Sequence, residues 1–241
     1  MRVMGGASAL IGGAAIAQAP IQPVYNAMGA YASGMMNVVA LGQPLAFQAR
    51  NARLRAEAQL GNRPSPVPPP SAPLAFAPGN GAQTVNAYVA RISRQDPTAG
   101  AQLRTALAGK NVPALFGQLV GPFGLNDHDV ADAMAAHLIM RMMVATGAPP
   151  PSPQGVRNVR DSVAQALAQD PKMASEGYRG QIGGEAQLDF VLVNSTWRAI
   201  GAGQWPADAA AQYRQGVAAD LAREGVDLDS MRLTPDGFAA K

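Results

Sequence analysis

The chain has 241 residues, 48% of them hydrophobic but only 5% aromatic, so its core must be built mainly from small side chains, alanine above all. The absence of cysteine excludes disulfides, cysteine zinc sites, iron–sulfur clusters and thiol catalysis, and two histidines leave little for a histidine-rich metal centre. The formal charge of +3 arises in residues 1–80, where five Arg face one Glu; residues 81–241 hold 14 Lys and Arg against 15 Asp and Glu, without the basic face that nucleic acid demands.

The first residues, MRVMGGASALIGGAAIAQAP, place Arg2 before an uncharged stretch and a small-x-small triplet, Ala15-Ile16-Ala17. That is the layout of a secretory signal peptide over residues 1–17, with cleavage before Gln18 and a periplasmic or secreted product. No residue from Val3 to Ala49 is charged. Gly, Pro and polar residues interrupt every apolar run, so no membrane span is expected. Six prolines between Pro64 and Pro73 favour extended polyproline geometry and a spacer. Residues 18–80 are therefore expected to form a flexible stem, uncharged and then proline-rich, with a helical domain at 81–241. A protease-resistant unit should begin between Leu74 and Gln83.

Past Gly81 the apolar spacing becomes helical. Val85, Val89 and Ile92 define a helix closed by Asp96-Pro97, with Asp96 positioned to cap the next one, which carries Leu103 and Leu107. Asn111 opens a short apolar helix from Val112 to Phe123. Asn126 is the expected cap of a central helix over Asp127–Thr146. Its core stripe is Val130, Met134, Leu138 and Met142, and its first turns hold Asp127, Asp129 and Asp132. Ser152-Pro153 opens a helix with Val156, Val159 or Arg160, Val163 and Leu167 on its face. Ser175 opens a longer one with Ile182, Ala186, Phe190, Val193, Trp197 and Ile200. Gly183-Gly184 within it marks a kink or a close crossing. Pro206 opens the last helix, with Tyr213, Val217 and Leu221 facing inward. Thr234-Pro235-Asp236-Gly237 is a turn in a docked tail, and no segment alternates as a strand. The expected fold is all-α, a bundle of about six helices after the low-complexity, proline-rich segment.

Leu74-Ala75-Phe76, the run from Ala90-Arg91 to Pro97, and Asn126-Asp127-His128-Asp129-Val130-Ala131-Asp132-Ala133 together resemble an uncharacterised family of exported proteobacterial all-α proteins, a domain of unknown function. Glu185 and the stretch from Gly225-Val226-Asp227-Leu228 to Phe238 fit the same pattern. The resemblance covers about residues 74–241 and implies export and a helical fold, but no activity.

Catalytic signatures are sparse. Asp127-His128-Asp129 has a ligand-like look but lacks the glycine and terminal glutamate of a calcium loop, so a helix cap is the better reading. There is no His-Glu-x-x-His and no Gly-x-Ser-x-Gly. Glu185 and Asp189, one turn apart, could form a carboxylate pair, although a polar edge of the long helix is the better reading. Trp197 and Trp205 could stack sugars. His137 and Arg141, four residues apart on the central helix, share a face and need partners if buried. Glu185 is the carboxylate expected opposite Arg141, which gives a candidate buried network of His137, Arg141 and Glu185. No catalytic residue is assigned, and no cofactor or metal is expected. These features point to a non-enzymatic exported helical interaction or structural protein of the cell envelope with an unknown protein partner. One alternative is an envelope hydrolase using Glu185, Asp189 or His137. The other is an arm protein inserting residues 18–49 into a partner or membrane.

Overall fold

The computed structural model describes residues 74–79 and 81–241. The expected signal peptide at 1–17 and nearly all of the stem lie outside the described residues. The architecture is all-α, with seven α-helices among the described residues where about six were expected. The helices are α1 (Ala82–Gln95), α2 (Pro97–Leu107), α3 (Val112–Val120), α4 (Val130–Thr146), α5 (Pro153–Leu167), α6 (Glu176–Gly201) and α7 (Ala207–Arg223). Two 3-10 turns, Gly121–Phe123 and Pro171–Ala174, follow α3 and α5. No helix among the described residues is long and apolar enough to cross a membrane.

Local chemistry sets most helix starts. Asp96 accepts from the Ala99 amide at 2.9 Å, Asn111 from Ala114 at 3.1 Å and Ser152 from Gly155 at 3.0 Å, each with a proline in the first turn. Ser175 caps α6 through the Tyr178 amide. The central helix departs from expectation, because its cap is Asp129, whose carboxylate accepts from Ala131 and Asp132 at 2.8 and 3.1 Å. The Asn126 side chain is engaged elsewhere, accepting from the His128 amide at 2.8 Å and donating to Asp132 at 2.8 Å. Helix α4 therefore begins at Val130, and Asp127 lies in the preceding turn.

Helix α4 is the hub of the fold, packing against α5, α6, α7 and residues 231–234 of the C-terminal tail. Val130 and Met142 are fully buried, whereas Met134 and Leu138, expected on the same stripe, are only half-buried. A helix that is apolar nearly all round is covered on several faces, so no single stripe defines its core side. Small residues permit the tight crossings. A Cβ on Gly183 would stand 2.5 Å from the Phe76 ring, and one on Gly184 would stand 2.7 Å from the Thr84 hydroxyl. This is the close crossing expected at Gly183-Gly184, and α6 runs as one helix through it.

Two expectations need correction. Leu74–Phe76, assigned to the stem, belong to the fold. Phe76 donates its amide to His128 at 2.8 Å, Val130 donates to Leu74 at 3.0 Å, and Arg179 Nε donates to the Ala75 carbonyl at 2.7 Å. Leu74 and Phe76 are buried. The tail is not strand-free either, since β1 (Met231–Thr234) and β2 (Gly237–Ala240) form an antiparallel hairpin across the expected turn, with Thr234 opposite Gly237. Its four-residue strands are too short to show alternation, and docking stabilises them. The Pro235 carbonyl accepts from both the amide and the hydroxyl of Ser152, at 2.9 and 2.8 Å.

Candidate functional site

The most concentrated polar chemistry lies where α4, α6 and the end of α7 meet. One turn of α4 separates His137 from Arg141, and Arg141 Nη1 stands 3.2 Å from His137 Nε2. A guanidinium can only donate, so in this contact Nε2 is the accepting nitrogen and Nδ1 is the one left to carry a proton. That nitrogen stands 3.0 Å from Asp189 Oδ2 of α6, close enough for strong attraction although poorly aligned for a hydrogen bond. The same Arg141 nitrogen forms an ion pair with Glu224, the residue that ends α7. The sequence Asp189–His137–Arg141–Glu224 therefore runs across three helices. Arg141 is 5% exposed at its side chain and Glu224 is 21% exposed, so the chain of contacts leads from the interior to the rim.

The surroundings reinforce this seam. Burial drives the Asp189 carboxyl upward, but His137, Arg141 and Arg91 together outweigh it and hold the group below the ordinary carboxylate range. Burial, with Asp189 nearby, raises the hydroxyls of Tyr88 in α1 and Tyr213 in α7. The Arg91 guanidinium lies 5.1 Å from the centre of the Tyr88 ring. Glu185 is raised by burial, opposed by Arg91 and by a hydrogen bond with Gln181. Among the described residues, Arg141 Nη2 and Arg91 Nε and Nη2 are buried without a hydrogen-bond partner, an arrangement that costs stability unless water reaches them.

His137 and Arg141 thus meet, but the carboxylate paired with Arg141 is Glu224 and not Glu185. Glu185 projects one turn before Asp189, with Arg91 as its main cationic influence. Glu224 carried no sequence signal beyond its place before a helix-stopping glycine, and it lies 83 residues from Arg141. Asp127 and His128 face each other at 3.1 Å at the surface, while Asp129 caps α4 and pairs with Arg160 at 3.0 Å. Arg160 Nε also donates to the buried Asp132 at 2.9 Å. Burial raises Asp132, and the Arg160 and Asn126 hydrogen bonds oppose that rise. No group of three or more His, Asp or Glu side chains among the described residues is arranged to hold a metal ion. Trp197 has the Arg214 guanidinium 5.3 Å over its ring, and Trp205 packs 5.7 Å from the Tyr213 ring, so each already has a stacking neighbour.

No protein-family model, curated protein or solved structure matches the chain. A histidine acting as a general base needs a free nitrogen within reach of a substrate proton. Here Nε2 is occupied by Arg141, and Nδ1 faces Asp189 inside the bundle. The arrangement fastens helices together.

Proposed function

We propose that the chain is a non-enzymatic helical interaction protein of the bacterial cell envelope, exported by its N-terminal signal and displayed on its proline-rich stem. The observation that carries the non-enzymatic part is the occupation of His137 Nε2 by Arg141, while Nδ1 faces Asp189 inside the bundle. The richest polar cluster thereby links α4, α6 and α7 and offers no free base to a substrate. Export rests on Arg2, the uncharged run that follows, and Ala15-Ile16-Ala17. The likeness to the uncharacterised exported family over residues 74–241 belongs to the same reading.

N-terminal sequencing of protein from cell envelopes, combined with site-specific crosslinking in living cells, tests it. The mature chain should begin near Gln18 and should crosslink reproducibly to one envelope protein from surface positions of the bundle. His137→Gln should keep those crosslinks. An intact Met1 in the cytoplasmic fraction refutes export. Hydrolysis of an envelope polymer that disappears in His137→Gln and Asp189→Asn refutes the non-enzymatic reading.

A further inference from the structure

The charge of the described domain is unevenly distributed. The α1–α2 hairpin, residues 82–111, carries Arg91, Arg94, Arg104 and Lys110 against Asp96 alone, whereas residues 112–241 carry ten Lys and Arg against fourteen Asp and Glu. A basic module therefore sits on an acidic body. A cavity of about 350 Å³ opens at the open end of this hairpin, opposite the Asp96 turn, between the first turns of α1 and the last turn of α2. That volume lies in the range of small-molecule sites. The half-buried Val85 lines one wall, and the accessible edges of the core residues Val89 and Leu107 form the floor, with Asn86 beside them. Arg104 and Lys110 also line it, and no acidic residue does. Neither cation has an ion-pair partner among the described residues, whereas Arg141, Arg160 and Arg223 pair with carboxylates elsewhere in the domain.

We propose that this groove binds a small anionic amphiphile, a molecule with a single carboxylate on an unbranched chain of several carbons. Arg104 and Lys110 receive the carboxylate, and the chain lies against Val85 and the accessible edges of Val89 and Leu107. Two cations beside an apolar wall suit such a molecule better than the alternatives. An inorganic anion would leave the valines and the leucine without a role, and a neutral apolar molecule would leave the two cations unanswered. A cationic partner is repelled, which also disfavours the arginine-bearing segment that precedes the domain. The proposal is independent of export and of any protein partner.

The test is titration of the ¹⁵N-labelled full-length chain with monomeric hexanoate, octanoate and decanoate, following amide shifts. Saturable shifts should cluster at Asn86, Gly109 and Lys110. Each buried methylene should tighten binding about fourfold until the groove is full. Octanol should bind at least tenfold more weakly than octanoate, and R104Q/K110Q should lose about tenfold for octanoate while keeping its fold, because both side chains are exposed. Vesicles of phosphatidylglycerol separate a groove ligand from a charged surface. Vesicle binding without saturable octanoate shifts would overturn the proposal, as would octanol binding as tightly as octanoate, or a double variant binding as tightly as the parent.

Discussion

Gly155→Ala is the sharpest test of how the C-terminal hairpin is held. Gly155 lies in the first turn of α5, and a Cβ there would collide with the Pro235 carbonyl oxygen, with the Gly237 nitrogen 2.8 Å away and the Asp236 carbonyl carbon 2.9 Å away. These are backbone atoms, so no side chain can rotate away. Either α5 and the hairpin separate slightly, or the hairpin tip releases. Overpacking of this kind costs about 1–3 kcal/mol. Release of the tip would forfeit the two Ser152 bonds to Pro235 and the 3.0 Å bond from Asn158 Nδ2 to the Asp236 carbonyl. These bonds are accessible to water, so each contributes near the lower end of about 0.5–1.5 kcal/mol. Both routes give a loss of about 2 kcal/mol, read as a lower urea midpoint, with faster amide exchange at Leu233 and Phe238. Gly121→Ala is the control, since its backbone is right-handed helical and nothing lies within 4 Å of the added carbon. It should be neutral or stabilise by up to about 1 kcal/mol. Unchanged stability and exchange in Gly155→Ala would refute the docking described above.

Core depth along α4 is checked by Met142→Ala, which should cost about 2–5 kcal/mol because Met142 is fully buried, whereas the half-buried Leu138 should lose clearly less on truncation to alanine; urea melts of the two decide the order. Arg141→Gln strands Glu224 and the imidazole, and should cost about 3 kcal/mol, at the low end for a buried pair because Glu224 reaches the rim; a double-mutant cycle with Glu224→Gln should recover a clear coupling energy. The pH dependences of two neighbouring carboxylates should have opposite signs. Asp189 is held low, so its contribution is present above the unfolded value near 3.9 and is lost as pH falls through the folded value; Asp189→Asn should flatten that acid-side loss. Glu185 is held high, so the native state is favoured at low pH and loses that advantage as pH rises through the folded value. Glu185→Gln should therefore gain relative to the parent between pH 4 and pH 7, as followed by urea midpoints.

What could be read from the sequence was what local chemistry decides. Asp96, Asn111, Ser152 and Ser175 each combine a capping side chain with a following helical pattern, and each caps its helix. Before α4 the sequence offers Asn126, Asp127 and Asp129 in succession, and propensity cannot rank them. Arg160, 31 residues away, favours Asp129 by pairing with it. The hairpin was half legible: its turn is written in Thr234-Pro235-Asp236-Gly237, but its strands depend on a glycine 82 positions earlier that leaves room for the turn. The site followed the same pattern. The shared face of His137 and Arg141 follows from helical spacing, whereas the choice of Asp189 and Glu224 as their partners follows from how α6 and α7 cross α4. Glu185 and Asp189 lie one turn apart on the same face of α6, and the level at which α6 crosses α4 decides which of them meets the imidazole.

A buried ion pair is weak evidence for net stability, so the polar seam must contribute something besides it. The core is rich in alanine and valine, and such residues fit one another in several rotations about as well as in one. Helix α4 has polar anchors toward both ends of its buried length: Asp132 held by Arg160 of α5, and Arg141 held by Glu224. Any rotation or one-turn slip of α4 would break both and bury their charges unpaired. The seam therefore acts on specificity, penalising alternative packings that the small apolar residues would tolerate. The paired substitution Arg141→Met with Glu224→Leu tests this, because it removes both charges at similar volume and leaves none unpaired. Its urea stability should stay within about 1 kcal/mol of the parent or exceed it. Its amide spectrum should broaden and lose dispersion along α4 and α7, and near-ultraviolet dichroism from Trp205 and Tyr213, whose rings pack together, should weaken. A variant that is equally stable and equally sharp in both spectra would show that the alanine-rich core alone fixes the register, and a variant that loses about 3 kcal/mol would show that the pair contributes net stability.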